Sequence, residues 1–439
     1  MAPIWIVLVR LPLAAVVGCL KNVLTRDALP IPDGAERPRQ QLAGPRRMRV
    51  EVCRKDEDFL ALREEWSGLY RSSSASPFLS WEWLYPAWSD VTPSGELRIF
   101  TARDDNGRLV GLLPLVEERL LGSVRSWSFL GDSVIGSDYL DVLAPRGIER
   151  PVAQLLWKEA CKPDDQCDLL VLRDMAASSP SLGLLAQATQ DQHLWMQESQ
   201  RHLCPRIVIS GTFAEYLKKV GRAENLRRRR RWLESRPGFA IDVATTPEAV
   251  STALPDFFRL HDLRWQTEGG SQGVTGPTIE TFHRHAAAML AEQGMVRLYT
   301  LSVDGRAIAS LYLLARDGYR AFYQSGYDPA FAQRSPGLVL LGRAIEDAFA
   351  ENASEFDFLR GVEKYKLEWA NDERRTVEAR VALSLVGAGM ATVRLASRAG
   401  KWLARQWLPE SLIRHVQTAR ARGKAWDSVR TCRAGCGEL

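Results

Sequence analysis

The sequence predicts an α/β (α+β) protein of two duplicated lobes, each a mixed, mostly antiparallel sheet flanked by helices. Three observations lead there. At 439 residues the chain exceeds what one hydrophobic core ordinarily organises, so two domains are expected. Its 46% hydrophobic and 25% charged residues are those of a globular protein. Finally, 97-LRIFTARDDNGRLVGLLPLVEE-118 and 296-VRLYTLSVDGRAIASLYLLARDG-318 repeat one pattern: strand, Asn-Gly or Asp-Gly turn, strand.

From the N-terminus, residues 1–47 stand apart. The run 2-APIWIVLVRLPLAAVVGCL-20 is apolar but broken by Arg10 and two prolines, which weakens it as a membrane span. Its basic residues fall within and after the apolar run, whereas a signal peptide places them before it. A disordered leader, or a misassigned start upstream of Met48, is expected; a membrane anchor or targeting segment is the alternative. The first lobe is expected over 48–204. Its hairpin leads to a strand at 137-SDYLDVL-143, a helix from about Pro151 to Cys161, and the strand 168-DLLVLRD-174. The second lobe, over 205–385, repeats this with 319-YRAFYQSGY-327, a helix from Pro336 to about Ala350, and 356-FDFLRG-361. Each half thus joins antiparallel strands to a β–helix–β crossover.

Two basic segments punctuate this plan. In 224-ENLRRRRRWLES-235 five consecutive arginines wrap a helix, as a solvated face or as a contact to an anionic acceptor, tRNA or lipid headgroup. The tail 386–439 sets Arg394, Arg398, Lys401, Arg405, Arg414 and further cations beside Trp402, Trp407 and Leu412. Such an amphipathic tail packs on the body or lies peripherally on an anionic membrane.

One helix start carries chemistry. In 334-RSPGLVLLGRAIEDA-348, Ser335 suits an N-cap whose hydroxyl accepts from a first-turn amide. Pro336 suits the first helical position, and Gly337 lets a ligand approach the backbone. With the charge of Arg334, free amides and the helix dipole there would seat a phosphate or pyrophosphate. Other chemistries find little support. There is no G-x-S-x-G elbow and no Walker loop. His283 and His285 would face different ways on a helix, and Cys432 and Cys436 lack a second ligand pair, so no metal is expected. A net charge of +5 is too even for a dedicated nucleic-acid binder. Seven scattered cysteines suit reduced thiols and a cytoplasmic protein.

Over 281–369 the chain resembles the acetyltransferase domain of the GNAT superfamily, and more narrowly the FemAB-like group that includes CelD-type cellulose-biosynthesis acyltransferases. The resemblance rests on V-D-G-R-A-I-A at 303–309, G-Y-D-P at 326–329, S-P-G at 335–337 and 356-FDFLRGVEKYKLEW-369, with fainter likeness at 261-HDLRW-265 and 76-SPFLSWEWLYPAW-88. It implies tandem GNAT-like lobes and transfer of an acyl group from acyl-CoA to an amine or hydroxyl of a sugar, lipid or peptide precursor. The contextual role it suggests is exopolysaccharide or envelope synthesis.

Mapped onto this chain, the resemblance places the donor between the strands 319–327 and 356–361. Gln324, Ser325 and Gly326 then stand near its carbonyl, and Arg334, Ser335, Pro336 and Gly337 at its phosphates. Glu363 is expected as base or acceptor-orienting residue, Tyr323 or Tyr365 as acid, and Lys366 as a neutralising cation. Asp138, Tyr139, Arg264 and Trp265 are expected at an acceptor cleft between the lobes. The family's loop is richer in glycine than 334–342, so aminoacyl-tRNA, used by FemAB-like relatives, stays open as the donor. A non-catalytic assembly factor at the inner face of the membrane is the remaining alternative.

Overall fold

The computed structural model describes residues 48–390 apart from 93–94, 121–123, 133, 163–166, 269–273 and 275. The leader and nearly all of the basic tail lie outside the described residues.

In the first half, β1 (Met48–Cys53) leads through α1 (Asp56–Ala61), α2 (Arg63–Ser72) and α3 (Trp81–Pro86) into a meander of β2 (Glu96–Asp104), β3 (Leu109–Leu120) and β4 (Val124–Phe129). The crossover α4 (Glu149–Ala160) returns to β5 (Leu169–Ala176), and α5 (Pro180–Asp191) precedes β6 (Trp195–Val208). The second half begins with α6 (Phe213–Lys219), α7 (Ala223–Glu234), β7 (Ala240–Ala244), α8 (Pro247–Glu268) and α9 (Pro277–Glu292). It then repeats the scheme with β8 (Val296–Val303), β9 (Arg306–Arg316), β10 (Tyr319–Tyr327), α10 (Pro336–Ala350), β11 (Glu355–Asp357), α11 (Lys364–Trp369) and β12 (Asp372–Ala382).

The twelve strands of the described residues form one sheet, ordered β1-β2-β3-β4-β5-β12-β6-β11-β10-β9-β8-β7. The parallel pairs are β4 with β5 and β10 with β11, one in each half, and the other pairs are antiparallel. The duplication read from the hairpins is therefore present in the topology, with one addition. The last strand of each half is exchanged: β12 pairs with β5 of the first lobe, and β6 pairs with β11 of the second. The expected boundary at 204/205 falls inside β6.

Local chemistry accounts for the repeated hairpins. Gly107 (φ +76°) and the pair Asp304 (φ +52°) and Gly305 (φ +71°) occupy the left-handed region that tight turns between twisted strands require. Two strand expectations need correction. The segment 137–143 is not a strand; it makes one bridge, Leu112 to Leu143. Its alternation reflects Leu140 and Leu143 burying into the first lobe as a strap. The strand at that place is β4, whose serines 126 and 128 are buried and weaken its apolar signal. The expected strand 356–361 is ordered as strand only at Glu355–Asp357, because Leu359 turns into the left-handed region (φ +55°).

The lobes share packing. Trp83 of α3 meets Phe282 of α9 (4.9 Å between ring centroids) and Tyr323 of β10 (5.3 Å). The tryptophan-rich 76–88 motif thus backs a second-lobe strand, and burying such aromatic rings contributes a few kcal/mol each. Arg316, at the end of β9, reaches across to donate to the carbonyls of Tyr70 (2.6 Å), Ser73 (2.9 Å) and Ala75 (2.6 Å).

Candidate active site

Beside α10 the sheet opens. β10 and β11 pair through Tyr319–Glu355, Arg320–Phe356 and Ala321–Asp357, and then part. A bulge follows on β10 between Phe322 and Gln324. Two cavities occupy the gap. One, of about 210 Å³, lies on the α10 side, lined by Leu311, Phe322, Ser325, Tyr327, Ser335, Pro336, Gly337, Leu338, Leu341, Tyr365 and Arg264. The other, of about 230 Å³, faces the first lobe, with Asp138, Trp265, Tyr323, Gln324, Arg360, Glu363 and Lys366 in its walls. Arg264, Phe322, Ser325 and Tyr365 belong to both, so the two spaces meet at the strand opening. Arg264 is held there by its Nη1, which donates to Ser325 Oγ (2.9 Å).

At the seat itself Gly337 keeps an open approach: a Cβ built there meets nothing within 4 Å. Its amide has no hydrogen-bond partner among the described residues. Ser335 does not cap as expected. Asp328 caps the preceding 3-10 turn (Pro329–Arg334) through Ala330 N, and that turn ends with Ser335 left-handed at φ +51°. In this conformation its hydroxyl makes no cap hydrogen bond. Instead its carbonyl accepts from Leu338 N (3.1 Å) and Val339 N (3.3 Å).

Three expected contacts stand elsewhere. Gly326 lines neither cavity; its missing Cβ lets β10 press on α8, where a methyl would lie 2.3 Å from His261 N. Arg334 lies over the Trp232 ring, 4.3 Å from its centroid, outside the cavity wall. Tyr139, left-handed at φ +59°, donates its hydroxyl to Asp357 Oδ2 (2.9 Å). It faces a separate cleft of about 890 Å³.

The wall of the cavity facing the first lobe is strongly coupled. Asp138 is fully buried, and Arg360 Nε donates to it (2.8 Å). Burial pushes the Asp138 carboxyl up while Arg360 pulls it back. Arg360 Nη1 also lies 3.2 Å from Asp174 Oδ2, and Arg201 Nε donates to Asp174 Oδ1 (2.9 Å). Lys366 Nζ donates to the Arg360 carbonyl (2.7 Å) and stands 3.2 Å from Glu363, with burial drawing its ammonium down. Glu363 itself is exposed at the start of α11. The Tyr323 hydroxyl donates to the Ile135 carbonyl (2.5 Å), and burial raises that phenol well above its ordinary value, which counts against it as an acid. Tyr365 packs on Phe322 at the junction of the cavities. Sequence reasoning passed over Arg360, although it stands in the quoted F-D-F-L-R-G run. Among the described residues no group of His, Cys, Asp or Glu side chains could hold a metal ion.

A sheet that splays beside a helix start, with two cavities meeting at the opening, offers room for two reactants to meet, as group transfer requires. Residues 221–367, most of the second lobe, match the acetyltransferase (GNAT) domain family. FemX has a solved structure similar in fold, with a TM-score of 0.50 at 12% identity, covering 71% of this chain and 95% of that one. L-PGS from Bacillus licheniformis aligns with a TM-score of 0.46 at 11% identity, over 76% of this chain and 96% of that one. A tandem GNAT protein from the clavulanic acid biosynthesis pathway aligns with a TM-score of 0.40 at 13% identity, over 76% and 98%. No curated protein matches the chain.

Proposed function

We propose that the protein transfers an acyl group from acyl-CoA to an amine or hydroxyl of a sugar, lipid or peptide precursor, with CelD-type envelope or exopolysaccharide synthesis as its setting. The observation that carries this reading is the open Gly337 amide at the head of a cavity that meets a second cavity at the strand opening. The α10 start suits a diphosphate, since a free amide and the helix dipole both favour an anion. Acyl-CoA supplies the activated thioester carbonyl.

The chain's own residues do the rest. Phe322, Ser325 and Tyr365 wall the place where the carbonyl would stand, and Arg264 fixes Ser325. As the acceptor's nitrogen or oxygen bonds to the carbonyl carbon, its proton passes to Glu363, and Lys366 holds that carboxylate in place. The carbon–sulfur bond breaks and the thiolate takes a proton from Tyr365. Arg360 and Asp138 brace the acceptor wall. Calorimetry with acetyl-CoA tests the donor: micromolar binding by the wild type, lost in Gly337→Glu, supports the reading. Absence of binding, with aminoacyl-tRNA acting as substrate instead, defeats it.

A further inference from the structure

The structure divides the five consecutive arginines of α7 into two sets. Arg229 donates to the Gln333 carbonyl (2.7 Å), and Arg230 bonds Glu234 (2.8 Å) and Glu346 (3.1 Å), so these two hold α7 against α10 and its leading turn. Arg227 pairs with Glu224 (3.1 Å). Arg228 and Arg231 are three residues apart on one helix face and exposed, and their side chains make no hydrogen bond or ion pair among the described residues. Beside them the guanidiniums of Arg236 and Arg334 lie over the Trp232 ring at 4.5 and 4.3 Å, and neither has a carboxylate partner among the described residues. An ordinary solvated helix face intersperses acids with its bases; here four cations stand unanswered.

Apolar side chains accompany them. Arg222, just before α7, is ion-paired with Glu368 of α11. Next to Glu368 stands Leu367, 48% exposed, and just before α11 stands Val362, 59% exposed. Val134, 51% exposed, rises from the first lobe. Each of these three adjoins in sequence a residue lining the acceptor cavity, namely Lys366, Glu363 or Ile135. They are three of the seven large apolar side chains exposed among the described residues.

We propose that α7 and the rim of the acceptor cavity form a docking surface for an anionic lipid bilayer. Arginines meet headgroup phosphates, and the aliphatic rim enters the interface. The acceptor cavity then opens where amphiphilic molecules reside. RNA is the poorer fit: it asks for free aromatic faces on which bases stack, and it has no use for exposed aliphatic residues. Trp232 already carries two guanidiniums.

The test is sedimentation of the full chain with phosphatidylcholine vesicles, with and without phosphatidylglycerol, across a salt series. The wild type should bind the anionic vesicles preferentially and lose them as salt rises. Since each cation near such a surface strengthens binding roughly fivefold, Arg228→Glu/Arg231→Glu should weaken binding at least about 25-fold. The neutral pair Arg228→Gln/Arg231→Gln should fall between, and guards against a folding defect. Val362→Ser/Leu367→Ser should weaken binding about 15-fold at every salt concentration, the size expected if each side chain buries about one methylene's worth of apolar surface. Acetyl-CoA binding should be unchanged in all of them. Equal binding to neutral and anionic vesicles overturns the proposal. So does wild-type behaviour of the charge-reversed variant, which would assign any membrane contact to another segment. Loss of RNA binding in that variant with vesicle binding intact overturns it in favour of a nucleic acid.

Discussion

The starts of α4 and α10 occupy matching places in the two lobes, and they differ in what fills them. In the first lobe the amide of Gly147 donates to Glu149 Oε2 (2.7 Å), so a side chain of the protein supplies the anion. The strap from Tyr139 to Leu143 enters that lobe, held by the Leu112–Leu143 bridge, Tyr139 N on the Asp174 carbonyl (2.8 Å) and Ser179 Oγ on Asp141 (2.5 Å). In the second lobe the amide of Gly337 is open and the strand gap holds two cavities. Equal topology therefore does not give equal chemistry. The difference lies at the glycine amide, answered by a carboxylate two residues on in the first lobe and open in the second, and not in the space beside it, since a cleft of about 890 Å³ lies against the strap and Glu149.

Four experiments break or sharpen this comparison. The largest effect is expected at Arg360, the second-lobe cation that answers Asp138 and Asp174 of the first. Arg360→Met leaves two buried carboxylates without it and should cost roughly 3–5 kcal/mol, read by urea unfolding. A loss below about 1 kcal/mol would show that the lobes do not depend on this tie. Next is acid sensitivity of the second lobe. His261 is fully buried, neither ring nitrogen makes a hydrogen bond, and burial pulls its pKa down to about 4. The unfolded chain binds a proton near pH 6.5 and the folded one only near 4, so stability is full above that window and falls as pH drops through it. At pH 4 the loss is about 3 kcal/mol. His261→Met should flatten the melting temperature over pH 6.5–4, and an unaltered profile would remove His261 from the account.

Gly337→Glu places a carboxylate at the open seat, as Glu149 does in the first lobe. A loss of at least about a hundredfold in kcat/KM, near 2.7 kcal/mol, is expected with the melting temperature held. Retained activity would mean that the donor enters elsewhere. The smallest effect is the converse. Glu149→Ala frees the Gly147 amide for under about 1 kcal/mol of stability, and should confer no second donor site because the strap still bonds Asp174 of β5. Two molecules of acetyl-CoA bound per chain would refute the strap's role.

Much of this was legible because hairpin turns and helix starts are local. Asn106-Gly107 and Asp304-Gly305 announced the repeat, and Ser335-Pro336-Gly337 marked the start of α10. What escaped was set by distant contacts. The strap alternates like a strand since its leucines bury against the first lobe, while β4 hides behind buried serines. Gly326 looked like part of the donor seat, although its small size serves the close approach of α8. Arg360 draws its meaning from Asp138 and Asp174, more than 180 residues away in the chain. No window of sequence shows such a pairing.

The exchange of β6 and β12 carries a temporal consequence. During synthesis the first half emerges with β5 paired to β4 on one side only, its other neighbour β12 not being complete until residue 382 has left the ribosome. Meanwhile β6 waits for β11. Domains commonly fold as they emerge, N-terminal first, but here neither half can finish alone. Separately expressed halves should each present an unfilled sheet edge, and combining them should restore a protein that neither makes by itself.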